Sequence, residues 1–146
     1  MNINNMRDIK IRKNSLLVGF YLYFLLGTIS AQSIGPNEVS RVIFFDYDTF
    51  IVKPELENTI KAHAEFLIAN PNAKVSIEAH TEASGGYEYN LSLAQKRAKA
   101  VMNILLRLGV PHVQIESVSF GSVKPADQGN DEAAFAKSRR VEFFYR

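Results

Sequence analysis

The chain predicts an α/β sandwich of two layers, a four-strand sheet carrying two main helices on one face in the order β-α-β-α-β-(short α)-β. Three observations carry this reading. Apolar or alternating runs of strand length recur four times, over residues 42–47, 74–80, 115–120 and 141–145. Two stretches between them repeat their apolar residues at helical spacing. Two helices of that length can cover only one face of a four-strand sheet.

Each element has a local reason. Val42-Ile-Phe-Phe is apolar at every position and ends where Asp46 and Asp48 appear, as expected of a covered strand. Pro54 suits the first helical position, and Leu56, Ile60, His63 and Leu67 share one helix face until Asn70-Pro71 stops it. In the second strand Val75, Ile77 and Ala79 point inward while Lys74, Ser76 and Glu78 point outward. After Gly85-Gly86, a stripe of Ala94, Ala98, Val101, Leu105 and Leu108 marks the second helix from about Asn90, with Asn90 or Ser92 as N-cap and Gly109 then Pro111 as stop. Residues 131–137, opened by acidic side chains, form a short helix, and Val141, Phe143 and Tyr145 alternate along the last strand.

The 146 residues, 47% hydrophobic and 22% charged, suit one domain and exclude a multidomain enzyme. The absence of Cys removes disulfides, thiolate metal sites, thiol nucleophiles and a lipid-bearing Cys together. Charge is uneven. Arg7, Lys10, Arg12 and Lys13 against Asp8 make the first 31 residues basic, followed by an apolar run from Leu16 to Ile29 and the small residues Ser30 and Ala31. Residues 1–31 therefore read as a secretory signal peptide, the apolar part being short of the roughly 20 residues a spanning helix needs, or as an uncleaved membrane anchor, since no charge occurs between Lys13 and Glu38. Both readings place the remainder outside the cytoplasm. Residues 32–40 form a short linker reaching at most about 35 Å, and residues 41–146 form the domain. That remainder is nearly neutral, which leaves no basic stripe for nucleic acid. Membrane contact is confined to the N-terminal segment, if it is retained.

No catalytic constellation is present. His80-Thr81-Glu82 spells H-x-E, but its P-C-x-x-C partner cannot occur in a Cys-free chain. The sequence has no P-loop, H-E-x-x-H or G-x-S-x-G, and its three His are far apart, so neither an enzyme nor a metal or cofactor site is expected. Polar residues instead gather at the ends of elements: Asp46, the run from His80 to Gly85, and Arg97 among apolar neighbours. A carboxylate facing an Arg across a cleft can pair with an ammonium and grip a carboxylate. Glu82 and Arg97 read equally as a structural ion pair or as solvated surface charges.

Phe44-Phe45-Asp46-Tyr47-Asp48, Ala79-His80-Thr81-Glu82, Asn90-Leu91 with Arg97-Ala98 and Val101, Gly121 to Pro125, and Ser138-Arg139-Arg140-Val141 together resemble the OmpA C-terminal-like, peptidoglycan-binding family, closest in pattern to its peptidoglycan-associated lipoproteins. The resemblance runs from about Arg41 to Arg146. It implies non-covalent binding to the diaminopimelate of the peptidoglycan stem peptide, in the periplasm or at the outer membrane. By position Glu82 meets the ammonium and Arg97 the carboxylate, with Asp46, Thr81, Ser84, Asn90 and Arg140 as supporting contacts. Asn90 has the alternative role of helix N-cap, Thr81 and Ser84 that of satisfying the turn's backbone, and Arg140 that of pairing with Glu142 or Asp131. His80 reads as a packed or loop-orienting residue.

The chain departs from the family pattern in places. Glu82 stands where Asp is usual, Ala79 where Gly is usual and Ser138 where Asn is usual, and no acylated Cys is present. A second reading therefore makes the chain a structural subunit of an envelope-spanning complex, with envelope proteins as partners and wall binding weakened or lost. An exposed patch of Phe44, Tyr87, Tyr89 or Phe144 away from the cleft would favour it.

Overall fold

The computed structural model describes Gly35 and residues 38–146; the leader expected over 1–31, and most of the linker, lie outside the described residues. Strands β1 (Val42–Phe44), β2 (Val75–His80), β3 (Ile115–Gly121) and β4 (Arg140–Tyr145) form one sheet in the order β1-β4-β2-β3. Helices α1 (Glu57–Ala69), α2 (Tyr87–Arg107) and α3 (Glu132–Ser138) complete the expected order. Among the described residues no helix is long and apolar enough to cross a membrane.

The alternation of the strands decides what is buried. Ile43, Val75, Ile77, Ala79, Val141 and Phe143 face one way and meet Ile60 and Leu67 of α1 and Ala94, Ala98, Val101 and Leu105 of α2. Each large aliphatic or aromatic side chain removed from water there contributes about 1.5–3 kcal/mol. The opposite face is open only in part, since Ser76 and His80 of β2 are buried there, which corrects the outward position expected of Ser76. Phe44 and Phe144, with neighbours of opposite parity in the core, remain more than half exposed.

Four local details differ from the sequence expectation. β1 stops at Phe44 rather than running to Tyr47, because its ladder partner β4 begins at Arg140, opposite Phe44; the chain then turns at Tyr47–Asp48, where Asp48 takes a left-handed backbone (φ 52°). Pro54 opens a 3-10 turn (Pro54–Leu56) from which α1 continues. α2 begins at Tyr87, with Gly86 as N-cap and no side-chain cap, so Asn90 lies in the first turn and is not the cap. β3 runs one residue further than expected, to Gly121. The short helix does begin as its acidic residues suggest: Asp131 accepts the Ala134 N–H at 2.8 Å.

Topology then fixes where a site can form. β4 pairs antiparallel with both β1 and β2, and β2 pairs parallel with β3. The ends of β1, β2 and β3, the start of α2 and the entry into β4 therefore share one edge of the sandwich. Gly121 keeps that edge tight: it adopts φ 52°, a Cβ there would come 3.1 Å from the Leu91 backbone nitrogen, and its carbonyl accepts the Thr81 N–H at 2.8 Å.

Candidate functional site

At this edge lies a cavity of about 120 Å³. The loop after β1 supplies Tyr47 and Asp48, and the loop after β2 supplies Thr81, Glu82, Ser84 and Gly85. The first turns of α2 add Tyr89, Asn90, Leu93 and Arg97, and Arg139 closes it from the residue before β4.

The two loops are held by side chains reaching across the fold. Arg97 is completely buried, and its Nε donates to the Thr49 carbonyl at 2.8 Å, Nη1 to His80 at 2.9 Å and Nη2 to Asp46 at 3.1 Å. Its guanidinium also lies 5.2 Å from the Phe45 ring centroid, a cation–π contact. Burial, then the charge of Arg139, pushes the Arg97 group down to about 10, while Glu82 and Asp48 pull it up, so it stays charged near neutrality. Asn90 Nδ2 donates to the Ser84 carbonyl at 2.8 Å and closes the second loop, where Gly85 takes φ 89°. Thr81, also buried, donates its hydroxyl to the Glu82 carbonyl at 3.1 Å.

Glu82 has a partner on each carboxylate oxygen. One carboxylate oxygen accepts from Arg139 Nη1 at 2.6 Å, and the other accepts from the Ser84 hydroxyl. Both side chains of the ion pair are 8% exposed. Arg139 reaches Glu132 of α3 with Nη2 at 2.5 Å, while its Nε is buried with no partner. Hydrogen bonding to Glu132, then to Glu82, raises the Arg139 group above its ordinary value against the opposing effect of burial. On the opposite wall, Asp48 accepts the Tyr89 hydroxyl.

Of the seven residues read from the sequence, Thr81, Glu82, Ser84, Asn90 and Arg97 converge on the cavity. Asp46 and Arg140 do not line it. The Asp46 carboxylate is exposed and paired with Lys53 at 2.7 Å, and it is the Asp46 backbone carbonyl that meets Arg97. Arg140 bonds Glu142 at 2.6 Å, with Lys124 O near it at 3.4 Å, and shares the parity of Phe144 on the open face. Glu82 and Arg97 both line the cavity, but they are not ion-paired with each other: the ionic partner of Glu82 is Arg139, and the three bonded N–H groups of Arg97 serve backbone carbonyls. Arg139, Asp48 and Tyr47 were not named for the site. Strand parity could have found the first, since residues 139, 141 and 143 share the helix-covered side.

His80 is a packed residue, 2% exposed and stacked on Phe120 with ring centroids 5.3 Å apart. The four aromatics flagged in the sequence are all more than half exposed, but they divide: Tyr89 lines the cavity, whereas Phe44 and Phe144 sit on the open sheet face.

Known proteins place this arrangement. The chain is 42% identical over 121 residues to the peptidoglycan-associated lipoprotein of Pasteurella multocida, covering 83% of this chain and 79% of that one. Against the protein of the same name from Legionella pneumophila it is 41% identical, covering 73% of this chain and 60% of the relative's length. The crystal structure of the peptidoglycan-associated lipoprotein from Burkholderia pseudomallei superposes with a TM-score of 0.72 at 39% identity, over 73% of this chain and 91% of that one. The C-terminal domain of Helicobacter pylori MotB shares the fold alone, with a TM-score of 0.67 at 21% identity over 72% of this chain and 83% of that one. The OmpA family pattern matches residues 44–139, a span that contains both loops of the cavity, Arg97 and Arg139. The chain therefore belongs to the OmpA family.

Proposed function

We propose that this chain is a peptidoglycan-binding protein of the cell envelope, acting in the periplasm in association with the wall or the outer membrane, and that its cavity receives the diaminopimelate of the stem peptide. The observation that carries this is the content of the cavity: guanidinium and carboxylate groups facing a space of about 120 Å³, well below the roughly 300–1,000 Å³ that encloses a drug-sized ligand. Such a space fits one amino-acid head group. Of the five N–H donors of a guanidinium, three on Arg97 are bonded to the backbone, which leaves two for a ligand carboxylate. Charge-assisted bonds of that kind contribute about 1.5–3 kcal/mol each.

Thr81, Ser84 and Asn90 shape the loop around the ligand, and Asp46 serves the site through its carbonyl. Arg140, 9% exposed at the start of β4 and bonded to Glu142, lies outside the cavity. The relatives at about 40% identity are by name peptidoglycan-associated, which supports wall binding over a subunit role in an envelope machine.

Co-sedimentation of the purified chain with sacculi tests the proposal. The chain should pellet with diaminopimelate-type sacculi, be displaced by free meso-diaminopimelate, and remain in solution with lysine-type sacculi. Equal pelleting with both wall types would remove diaminopimelate as the determinant.

A further inference from the structure

His63 is a buried titratable group that the cavity does not use, and it lies where β1 begins and β4 ends, at the far end of the sheet from the cavity. Its ring, carried by α1, joins three parts of the chain. Nε2 is 3.0 Å from the Ser40 carbonyl on the approach to β1, and Nδ1 is 2.8 Å from the Tyr145 hydroxyl of β4. The ring also stacks on Phe143 of β4, with centroids 4.0 Å apart. A carbonyl only accepts, so the neutral ring carries its proton on Nε2 and receives the Tyr145 O–H on Nδ1. That arrangement exists in one protonation state. A proton on Nδ1 meets the hydroxyl proton and forces the hydroxyl to turn away.

The stretch that depends on this junction is the entry to the domain. Ser40 and Arg41 are exposed, and Ile43, at 1% exposure, is the first residue locked into the core. Besides the bond to His63, the Phe143 N–H donates to the Arg41 carbonyl at 2.8 Å. A segment held by so few contacts opens without the rest of the fold. Of the groups around the ring, Phe143, Tyr145 and Phe66, which meets Tyr145 edge-on at 5.3 Å, are uncharged, and the Arg41 guanidinium lies 5.5 Å from the Tyr145 centroid. Burial lowers His63 below its ordinary value; the Ser40 carbonyl opposes this, and the Arg41 charge adds to it. The opened state, with its ring in water, takes up a proton near pH 6.5, so the closed junction is favoured above that pH and weakens as pH falls.

We infer that His63 is an acid-sensitive clip: on acidification it breaks its bond with Tyr145 and releases Ser40 and Arg41 from the sheet, which lengthens the linker while the core and the cavity stay folded.

Amide exchange of the isotope-labelled full chain, expressed as protection factors at several pH values from 7 to 5, tests this. Two amides matter: Phe143, whose N–H reports the Arg41 contact, and Val101, buried in α2, which reports opening of the whole domain. In the wild type Phe143 should lose protection at least fivefold between pH 7 and pH 5, with Val101 remaining at least tenfold better protected throughout. His63→Gln keeps a donor for the Ser40 carbonyl and gains no proton, so its Phe143 protection should stay within twofold. Tyr145→Phe removes the O–H that favours the neutral ring and should move the loss upward by at least half a pH unit. Equal protection of Phe143 and Val101 in the wild type, which makes the opening global, overturns the inference. So does a pH-dependent loss that persists in His63→Gln, or, if that variant does not fold, an unshifted loss in Tyr145→Phe.

Discussion

Removing the Arg97 guanidinium would strand three backbone carbonyls and open a cavity against Phe45, so its first effect falls on stability. Arg97→Ala should cost about 3 kcal/mol or more in urea unfolding, and Arg97→Lys, which keeps charge and part of the packing, should cost less. Loss of wall binding in the alanine variant therefore has to be read beside its unfolding curve. His80 makes a separate prediction. Both ring nitrogens are buried without a hydrogen bond of normal geometry, and burial, then the charge of Arg140, lowers the group to about 4; Glu142 opposes this, and Lys124 acts both ways, its charge lowering and its backbone raising the group. The unfolded chain, with a His near 6.5, takes up a proton that the folded chain refuses. Stability is thus full above about pH 6.5 and falls as pH drops toward 4, by about 3 kcal/mol across that window. Chemical denaturation at pH 7 and pH 4.5 should show a smaller loss in His80→Phe than in the wild type; equal losses would remove His80 as the source. At this scale the sequence supplied the residue types, and Thr81, Glu82, Ser84, Asn90 and Arg97 converge in space. It could not supply partners, because whether Glu82 meets Arg97 or Arg139 depends on a contact 57 positions along the chain.

Elements were legible where the signal was periodic and displaced where it was a single turn. The apolar stripe of α2 holds from Ala94 to Leu105, Leu108 being exposed at the C-cap, and the stop at Gly109 and Pro111 holds, while its start moved from about Asn90 to Tyr87. The polar side chain that suggested a cap instead bonds the Ser84 carbonyl of the preceding loop. β1 shortened because the strand that pairs with it begins only at Arg140, opposite Phe44. Gln114 shows what periodicity cannot reveal. It sits in the 3-10 turn His112–Gln114 before β3, and its buried Nε2 points at the carbonyls of Leu67, Asn70 and Ala73, at 3.0, 3.0 and 2.9 Å. One amide thereby ties the end of α1 to the approach to β2. Gln114→Leu should destabilise by about 1–3 kcal/mol, lowering the melting temperature by roughly 4 °C or more, while diaminopimelate peptide binding at the opposite edge stays unchanged. A wild-type melting temperature in that variant would show the three contacts to be dispensable.

The whole molecule follows from connectivity more than from any one motif. Once four strands and two long helices are present, with both helices on one face, the antiparallel insertion of β4 between β1 and β2 gathers three strand ends, one helix start and the residue before β4 at a single edge. The layer architecture was legible from alternation and helix length. The strand order, which makes the site, was not, because no local pattern encodes which strand enters between two others. The same topology separates two surfaces: the charged cavity at the edge, and the open sheet face bearing Phe44 and Phe144. The most direct test is to record amide chemical shifts of the isotope-labelled chain as the diaminopimelate tripeptide is added. The account predicts perturbations confined to Tyr47–Thr49, Thr81–Gly86, the first three turns of α2 and Arg139. Shifts centred on Phe44, Arg140 and Phe144, or no shifts at saturating peptide, would contradict it.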